Sequence, residues 1–136
     1  MYADFRAERK NDCGIQTIRA EQGIWIVIAG VGIDIIEVER IDKLLSNNEN
    51  FLNRNFTARE LEFNRKPESV AGNFAAKEAF AKALGTGFRG FGLHDVEVLR
   101  NHLGAPYILF RGEQSNTQIS ISHTKSTAVA VVIITE

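Results

Sequence analysis

The run Ile24-Trp25-Ile26-Val27-Ile28-Ala29-Gly30-Val31-Gly32-Ile33-Asp34-Ile35 constrains this chain more than any other segment. It is rich in β-branched side chains, which lose rotamer freedom in a helix and pack well on a pleated surface. It predicts a strand, buried on one face. Alternation puts Gly30, Gly32 and Asp34 on one face and Val31, Ile33 and Ile35 on the other. The second face is expected to be core. The first has almost no side-chain bulk before the carboxylate, so a ligand is expected to approach the backbone there.

A strand of this kind needs partners, and 136 residues are enough for one domain. Apolar residues make up 44% and charged residues 24%, which separates the chain from disordered sequences. The net charge is -1, with no polybasic run, so no nucleic-acid partner and no membrane partner is expected. The apolar stretch Ile24 to Ala29 is too short for a membrane span. The residues before it carry acids as well as bases, unlike a signal peptide. Cys13 is the one cysteine, which rules out an intrachain disulfide and fits a reducing cytoplasm.

Met1 to Gln22 are mixed and polar without clean periodicity, and read as an extension or a flexible arm. After the strand, Glu37 to Leu45 predicts a helix with Val38, Ile41 and Leu44/Leu45 as its apolar stripe, ended by Asn47-Asn48. Thr57-Ala58-Arg59-Glu60 has the form of a capping box and opens a short helix. Pro67 is expected to separate that helix from the longest one, Ser69 to Leu84, which is rich in strong helix formers. Gly85 is placed as its left-handed stop, and Gly85 to Gly92 as a glycine-rich loop. The remainder reads as strands over Asp95 to Leu99, Tyr107 to Phe110, Gln118 to Ser122 and Thr127 to Thr135, with Arg111 to Thr117 as a loop or short helix. Helices in the middle and strands gathered at one end predict an α+β fold: a small antiparallel sheet packed with helices around one long central helix.

Glu78 and Lys82 lie four apart on the long helix and share a face. They read either as an ordinary surface ion pair or as a carboxylate and an ammonium that hold a cation and phosphate oxygens beside the glycine-rich loop. Asp34 reads either as a cap for the following helix or as a second carboxylate of an oxygen-rich site. Magnesium suits such a site, because it takes one or two carboxylates and completes its shell with waters and substrate phosphates. Zinc would want thiolates or imidazoles that no cluster here supplies. Ser120-Ile121-Ser122-His123-Thr124-Lys125 reads either as a polar hairpin end or as a set of phosphate contacts. A serine hydrolase is disfavoured by the lack of a G-x-S-x-G elbow. His94 and His102 read as surface residues.

Three blocks resemble the holo-acyl-carrier-protein synthases, a family of 4′-phosphopantetheinyl transferases. They are Gly30-Val31-Gly32-Ile33-Asp34-Ile35 with Glu37 to Ile41, then Phe74-Ala75-Ala76-Lys77-Glu78-Ala79-Phe80-Ala81-Lys82-Ala83-Leu84-Gly85-Thr86-Gly87, then Ser120-Ile121-Ser122-His123-Thr124. The middle block is the most specific, and the match runs from about Ile28 to the C-terminus. The resemblance implies a cytoplasmic enzyme of fatty acid biosynthesis with the 4′-phosphopantetheinyl transferase fold. It would transfer the phosphopantetheine arm of coenzyme A to a serine of an apo acyl carrier protein and release 3′,5′-ADP.

By the same resemblance, Asp34 and Glu78 are the magnesium carboxylates and Lys82 contacts coenzyme A phosphates, which makes these three the catalytic set. His123 and Thr124 are implied at the 3′-phosphate, with Gly85 and Pro106 near the nucleotide pocket. A homotrimer with active sites shared between subunits is implied as well. Carrier docking is expected to rest on Arg40, Arg54 and apolar contacts such as Phe51. Here Ser46-Asn47-Asn48-Glu49-Asn50 occupies a stretch usually more basic in the family, and Asn73 stands where an arginine is common. Weaker or rearranged carrier docking follows. Residues 1–26 are expected to be an upstream extension outside the core, from a misplaced start site, with the transferase domain at 27–136. The competing reading is a non-catalytic coenzyme A or nucleotide-binding paralogue, which would be expected to lack one of Asp34, Glu78 and Lys82. A purely structural oligomer would leave the Glu78/Lys82 pair and glycine loop without purpose.

Overall fold

A computed structural model describes residues 6–9, 16–19, 25–62 and 65–136. The β-branched run forms β3 (Trp25–Glu37), the central strand of a five-stranded antiparallel sheet ordered β1-β2-β3-β8-β7. Its main partner is β8 (Thr127–Thr135), in a register that pairs Val31 with Ile133, Ile33 with Val131 and Ile35 with Val129. A bulge lies between Ile28 and Gly30. β7 (Thr117–His123) flanks β8. On the other side, β2 (Gln16–Arg19) pairs with Trp25 to Val27, and β1 (Arg6–Arg9) pairs with β2. The segment read as an extension or flexible arm therefore contains two paired strands. Backbone pairing does not require side-chain periodicity, which is why composition missed them. The rest of that segment lies outside the described residues.

A second sheet of three strands holds β4 (Val96–Arg100), β5 (Pro106–Phe110) and the two-residue β6 (Glu113–Gln114). Between the sheets in sequence come α1 (Val38–Asn47), α2 (Phe51–Asn55), α3 (Ala58–Leu61) and α4 (Pro67–Ala83). The α+β expectation is met, with antiparallel sheets packed on helices and one long central helix. The capping box forms: Thr57 Oγ1 accepts from the Glu60 amide, and the Glu60 carboxylate accepts from the Thr57 amide. Three local expectations change, the first being β6, a two-residue strand in the stretch Arg111 to Thr117 that was read as a loop or short helix. α2 was unforeseen, and Pro67 begins α4 rather than preceding it. At the first helical position proline loses no hydrogen bond and its fixed φ suits the helix.

Nearly every side of α4 is buried, from Val70 and Ala71 through Ala75, Ala76, Ala79, Phe80 and Ala83. Helices with no wet face belong in the middle of a domain. α4 lies against β3 at backbone distance. A Cβ on Gly32 would collide with the Ala79 carbonyl oxygen and lie 2.6 Å from the Ala83 amide nitrogen. One on Gly30 would collide with the Ala83 carbonyl oxygen. The glycine face is thus filled by the helix, not left open for a ligand. The face expected to be core is the exposed one: Val31, Ile33 and Ile35 are 59%, 60% and 69% exposed. Alternation decides which side chains share a face, but not which face meets the helix. The missing side chains let α4 in, because Ala79 and Ala83 present an equally bare surface.

Candidate active site

This close packing of α4 on β3 brings the sequence-predicted catalytic residues together. Lys82 donates to Asp34 Oδ1 at 2.8 Å and to the Ile33 carbonyl at 3.0 Å. Only 16% of the Asp34 side chain is exposed, against 54% for Lys82, so the carboxylate is the fixed member. Asp34 does not cap α1, whose N-cap is Glu37 without a side-chain bond. One helical turn before Lys82, the Glu78 carboxyl is pushed above its ordinary pKa. Burial is the main cause and the nearby Asp34 charge the second, while Lys82 and Arg40 oppose the rise. Two carboxylates and two cations therefore converge where α4 meets β3 and α1.

The donor set fits a hard divalent cation. Two partly desolvated carboxylates of like charge raise each other's energy, and a dication would relieve that. Among the described residues there is no cluster of three or more His, Cys, Asp or Glu. A metal here would complete its shell with water and substrate oxygens, as magnesium does.

Gly85 ends α4 as expected, with φ of 75° and its amide on the Lys82 carbonyl at 3.0 Å. Pro106 and His123 line a separate cavity of about 200 Å³ with Arg100, Gly72, Gly104 and Ile121. Thr124 holds the turn between β7 and β8. Its Oγ1 accepts from the amides of Ser126 and Thr127, each at 3.2 Å. The cavity lies at the N-terminal half of α4, beside Ser69 and Gly72, and from Ser69 to Lys82 the helix advances roughly 20 Å. Within one chain, the carboxylate cluster and the His123 cavity are therefore two places. A larger open groove of about 620 Å³, with Glu37, Glu39, Asp42 and Glu68 on its walls, contains none of the predicted site residues.

Arg40 and Arg54 are exposed. Phe51 is a correction: it is 7% exposed and packs on Phe56 and Phe74 with ring centroids 6.4 and 6.1 Å away. The polar loop before α2 made it look like a surface residue, but α2 turns it inward. Asn73 accepts from Arg100 at 2.8 Å.

The sequence reading also missed Lys77. Its side chain is fully buried, and Nζ donates to Glu60 Oε2 at 2.7 Å, the Asn55 carbonyl at 2.7 Å and the Leu93 carbonyl at 2.9 Å. Glu60 Oε1 accepts from the Val98 amide at 2.9 Å. Burial lowers the Lys77 pKa while Glu60 opposes the change. The pair ties α2, α3, α4 and β4 together. The capping box pointed to Glu60, but no local signal pointed to its partner 17 residues on. Successive residues of a helix point about 100° apart, so the Lys77-Glu78 dipeptide serves two different places.

Residues 30–133 match the 4′-phosphopantetheinyl transferase superfamily. A holo-[acyl-carrier-protein] synthase of Clostridium botulinum strain Eklund 17B is 48% identical over 120 residues, covering 79% of this chain and 98% of the relative. The one from Oceanobacillus iheyensis is 47% identical over 115 residues, covering 79% and 97%. Among solved structures, the Bacillus anthracis holo-(acyl-carrier-protein) synthase in complex with CoA (3′,5′-ADP) superposes with a TM-score of 0.70 at 39% identity, over 80% of this chain and 97% of that one. The Helicobacter pylori enzyme in complex with coenzyme A gives 0.69 at 31% identity, over 78% and 99%. The chain belongs to the holo-[acyl-carrier-protein] synthase family of 4′-phosphopantetheinyl transferases.

Proposed function

We propose that this protein transfers the 4′-phosphopantetheine arm of coenzyme A to a serine of an apo acyl carrier protein, releasing 3′,5′-ADP, in the cytoplasm and for fatty acid biosynthesis. The observation that carries this reading is Lys82 on Asp34 at 2.8 Å with Glu78 one turn away. Asp34 and Glu78 would hold magnesium. Bound there, the metal supplies positive charge for the pyrophosphate oxygens as the phosphoryl group is transferred. Lys82 neutralises further phosphate charge, and Gly85 brings bare backbone next to it. Pro106, His123 and Thr124 receive the nucleotide end. Arg40 and Arg54 offer positive charge to an acidic carrier. The non-catalytic paralogue is disfavoured because none of the three catalytic side chains is missing. No helix among the described residues is long and apolar enough to cross a membrane.

The exposed face of β3 supports a homotrimer. Val31, Ile33 and Ile35 pair across the strands with Ile133, Val131 and Val129, a β-branched surface of six side chains. Apolar patches of this kind mark interaction sites. The roughly 20 Å between Ser69 and Lys82 along α4 fits a site that takes its carboxylates from one subunit and its nucleotide cavity from the next.

The test is mass spectrometry of apo carrier protein incubated with coenzyme A, magnesium and this protein. A mass gain of one phosphopantetheine arm on the carrier serine, abolished by a chelator, is expected. An unmodified carrier would overturn the reading.

A further inference from the structure

We infer that Arg100 is the residue that recognises a phosphate monoester on the nucleotide substrate, and that it sets the preference for coenzyme A over a form lacking the 3′-phosphate. The inference rests on the transferase reading, with its 3′-phosphate site at His123 and Thr124, and adds to it a residue of this chain.

Arg100 ends β4 and lines the 200 Å³ cavity together with His123 and Pro106. One guanidinium nitrogen donates to Asn73 Oδ1 at 2.8 Å, and another makes a long contact of 3.4 Å to the Leu99 carbonyl. Asn73 is itself buried, so its amide fixes the direction of the guanidinium. Ion pairs among the described residues join Lys43 with Glu39, Arg59 with Glu97, Lys77 with Glu60, and Lys82 with Asp34, away from Arg100. Arg100 has none.

Its half-buried state has an energetic consequence. Burial alone pulls the Arg100 pKa below its ordinary value, and no carboxylate pulls it back. The guanidinium nevertheless stays charged. A partly desolvated cation without a counter-charge is a poor structural element, because its desolvation is not offset. It is a good anion receptor, since a guanidinium fork matches two phosphate oxygens at once. Lys77 shows the contrast: a cation buried completely, it is matched by Glu60 and two carbonyls. Glu68 also lines the cavity but makes no ion pair with Arg100, so the positive group is not neutralised from within. His123 adds a ring N–H on the same wall system.

Two measurements test this. The first is calorimetric titration of the full chain with adenosine 3′,5′-bisphosphate and with adenosine 5′-monophosphate. The native chain should prefer the bisphosphate. Arg100→Met should weaken the bisphosphate at least about tenfold and leave the monophosphate nearly unchanged, since charge-assisted bonds to phosphate are the strong ones. Arg100→Lys keeps the charge but loses the fork, so it should retain part of the preference. It also serves if the methionine variant fails to fold.

The second is turnover with coenzyme A and with 3′-dephospho-coenzyme A. Arg100→Met should raise KM for the first about tenfold, with kcat changed less than about twofold, and leave KM for the second as it was. Equal effects on both ligands, or on neither, in a folded variant would overturn the assignment. A chain that discriminates the nucleotides through Arg100 but transfers nothing would sink the transferase reading and keep the phosphate site. Transfer that ignores Arg100 would do the reverse.

Discussion

The two faces of β3 are built from alternate residues of one strand and meet opposite surroundings. The inner face, Gly30, Gly32 and Asp34, is nearly bare and is sealed by the backbone of α4. The outer face, Val31, Ile33 and Ile35, carries the bulk and stands in the open. Hydrophobicity alone would assign these the other way round. The inner face works through what it lacks: with no Cβ in the way, α4 comes close enough for Lys82 to bond both the Ile33 carbonyl and the Asp34 carboxylate. The outer face gains nothing within a single chain and is suited to a second copy.

The largest expected effect is on the inner face. Gly32→Ala drives a methyl into the Ala79 carbonyl oxygen, rigid backbone on both sides. Destabilisation of about 4 kcal/mol or more is expected, enough to remove the folded protein in chemical denaturation. Ordinary stability in this variant would mean that α4 does not sit on the glycines.

Next come the carboxylates that this packing aligns. Asp34→Ala or Glu78→Ala should lower turnover at least about a thousandfold, because metal stabilisation of the transition state is worth several kcal/mol. Circular dichroism should remain that of the native fold. Near-normal turnover at ordinary magnesium would separate the site from the inner face.

A smaller effect is expected outside. Ile33→Asp places a charge at the middle of the exposed face, where it is harmless to a monomer and costly in an interface. Sedimentation should show a trimer in the native chain and association weakened at least about thirtyfold in the variant, with secondary structure kept. A variant that stays trimeric would show that another surface joins the subunits.

The smallest effect belongs to the edge of the sheet. A chain starting at Val27 loses β1, β2 and the first residues of β3 but keeps the pairing of Val27 with Glu136. Its stability should change by less than about 1 kcal/mol, within the range of surface changes, and transfer should persist. Loss of soluble protein would make residues 1–26 part of the core.

Much of the site was legible in the sequence because its spacing is local. Glu78 and Lys82 are one turn apart, so any helix through them shares their face. Gly85 follows the last helical turn and takes the left-handed conformation expected of it. The Thr57/Glu60 capping box is equally local. Phe51 was misread because Phe74, which helps to bury it, stands on α4, outside its own stretch of sequence. Arg100 went unnoticed because nothing in the surrounding residues distinguishes an outward arginine from one held against Asn73 on another element.

The sequence by itself determined the central strand, the long helix and its stop, the Thr57 cap and which residues share a face, because backbone periodicity and rotamer preference act over a few residues. Only the tertiary structure decided which face of β3 is inside, that Lys77 lies buried on Glu60, and that Arg100 lines a cavity without making an ion pair. Each of these depends on how closely two distant backbones can approach and on what solvent is excluded between them. That is a property of packed surfaces, and no window of neighbouring residues contains it.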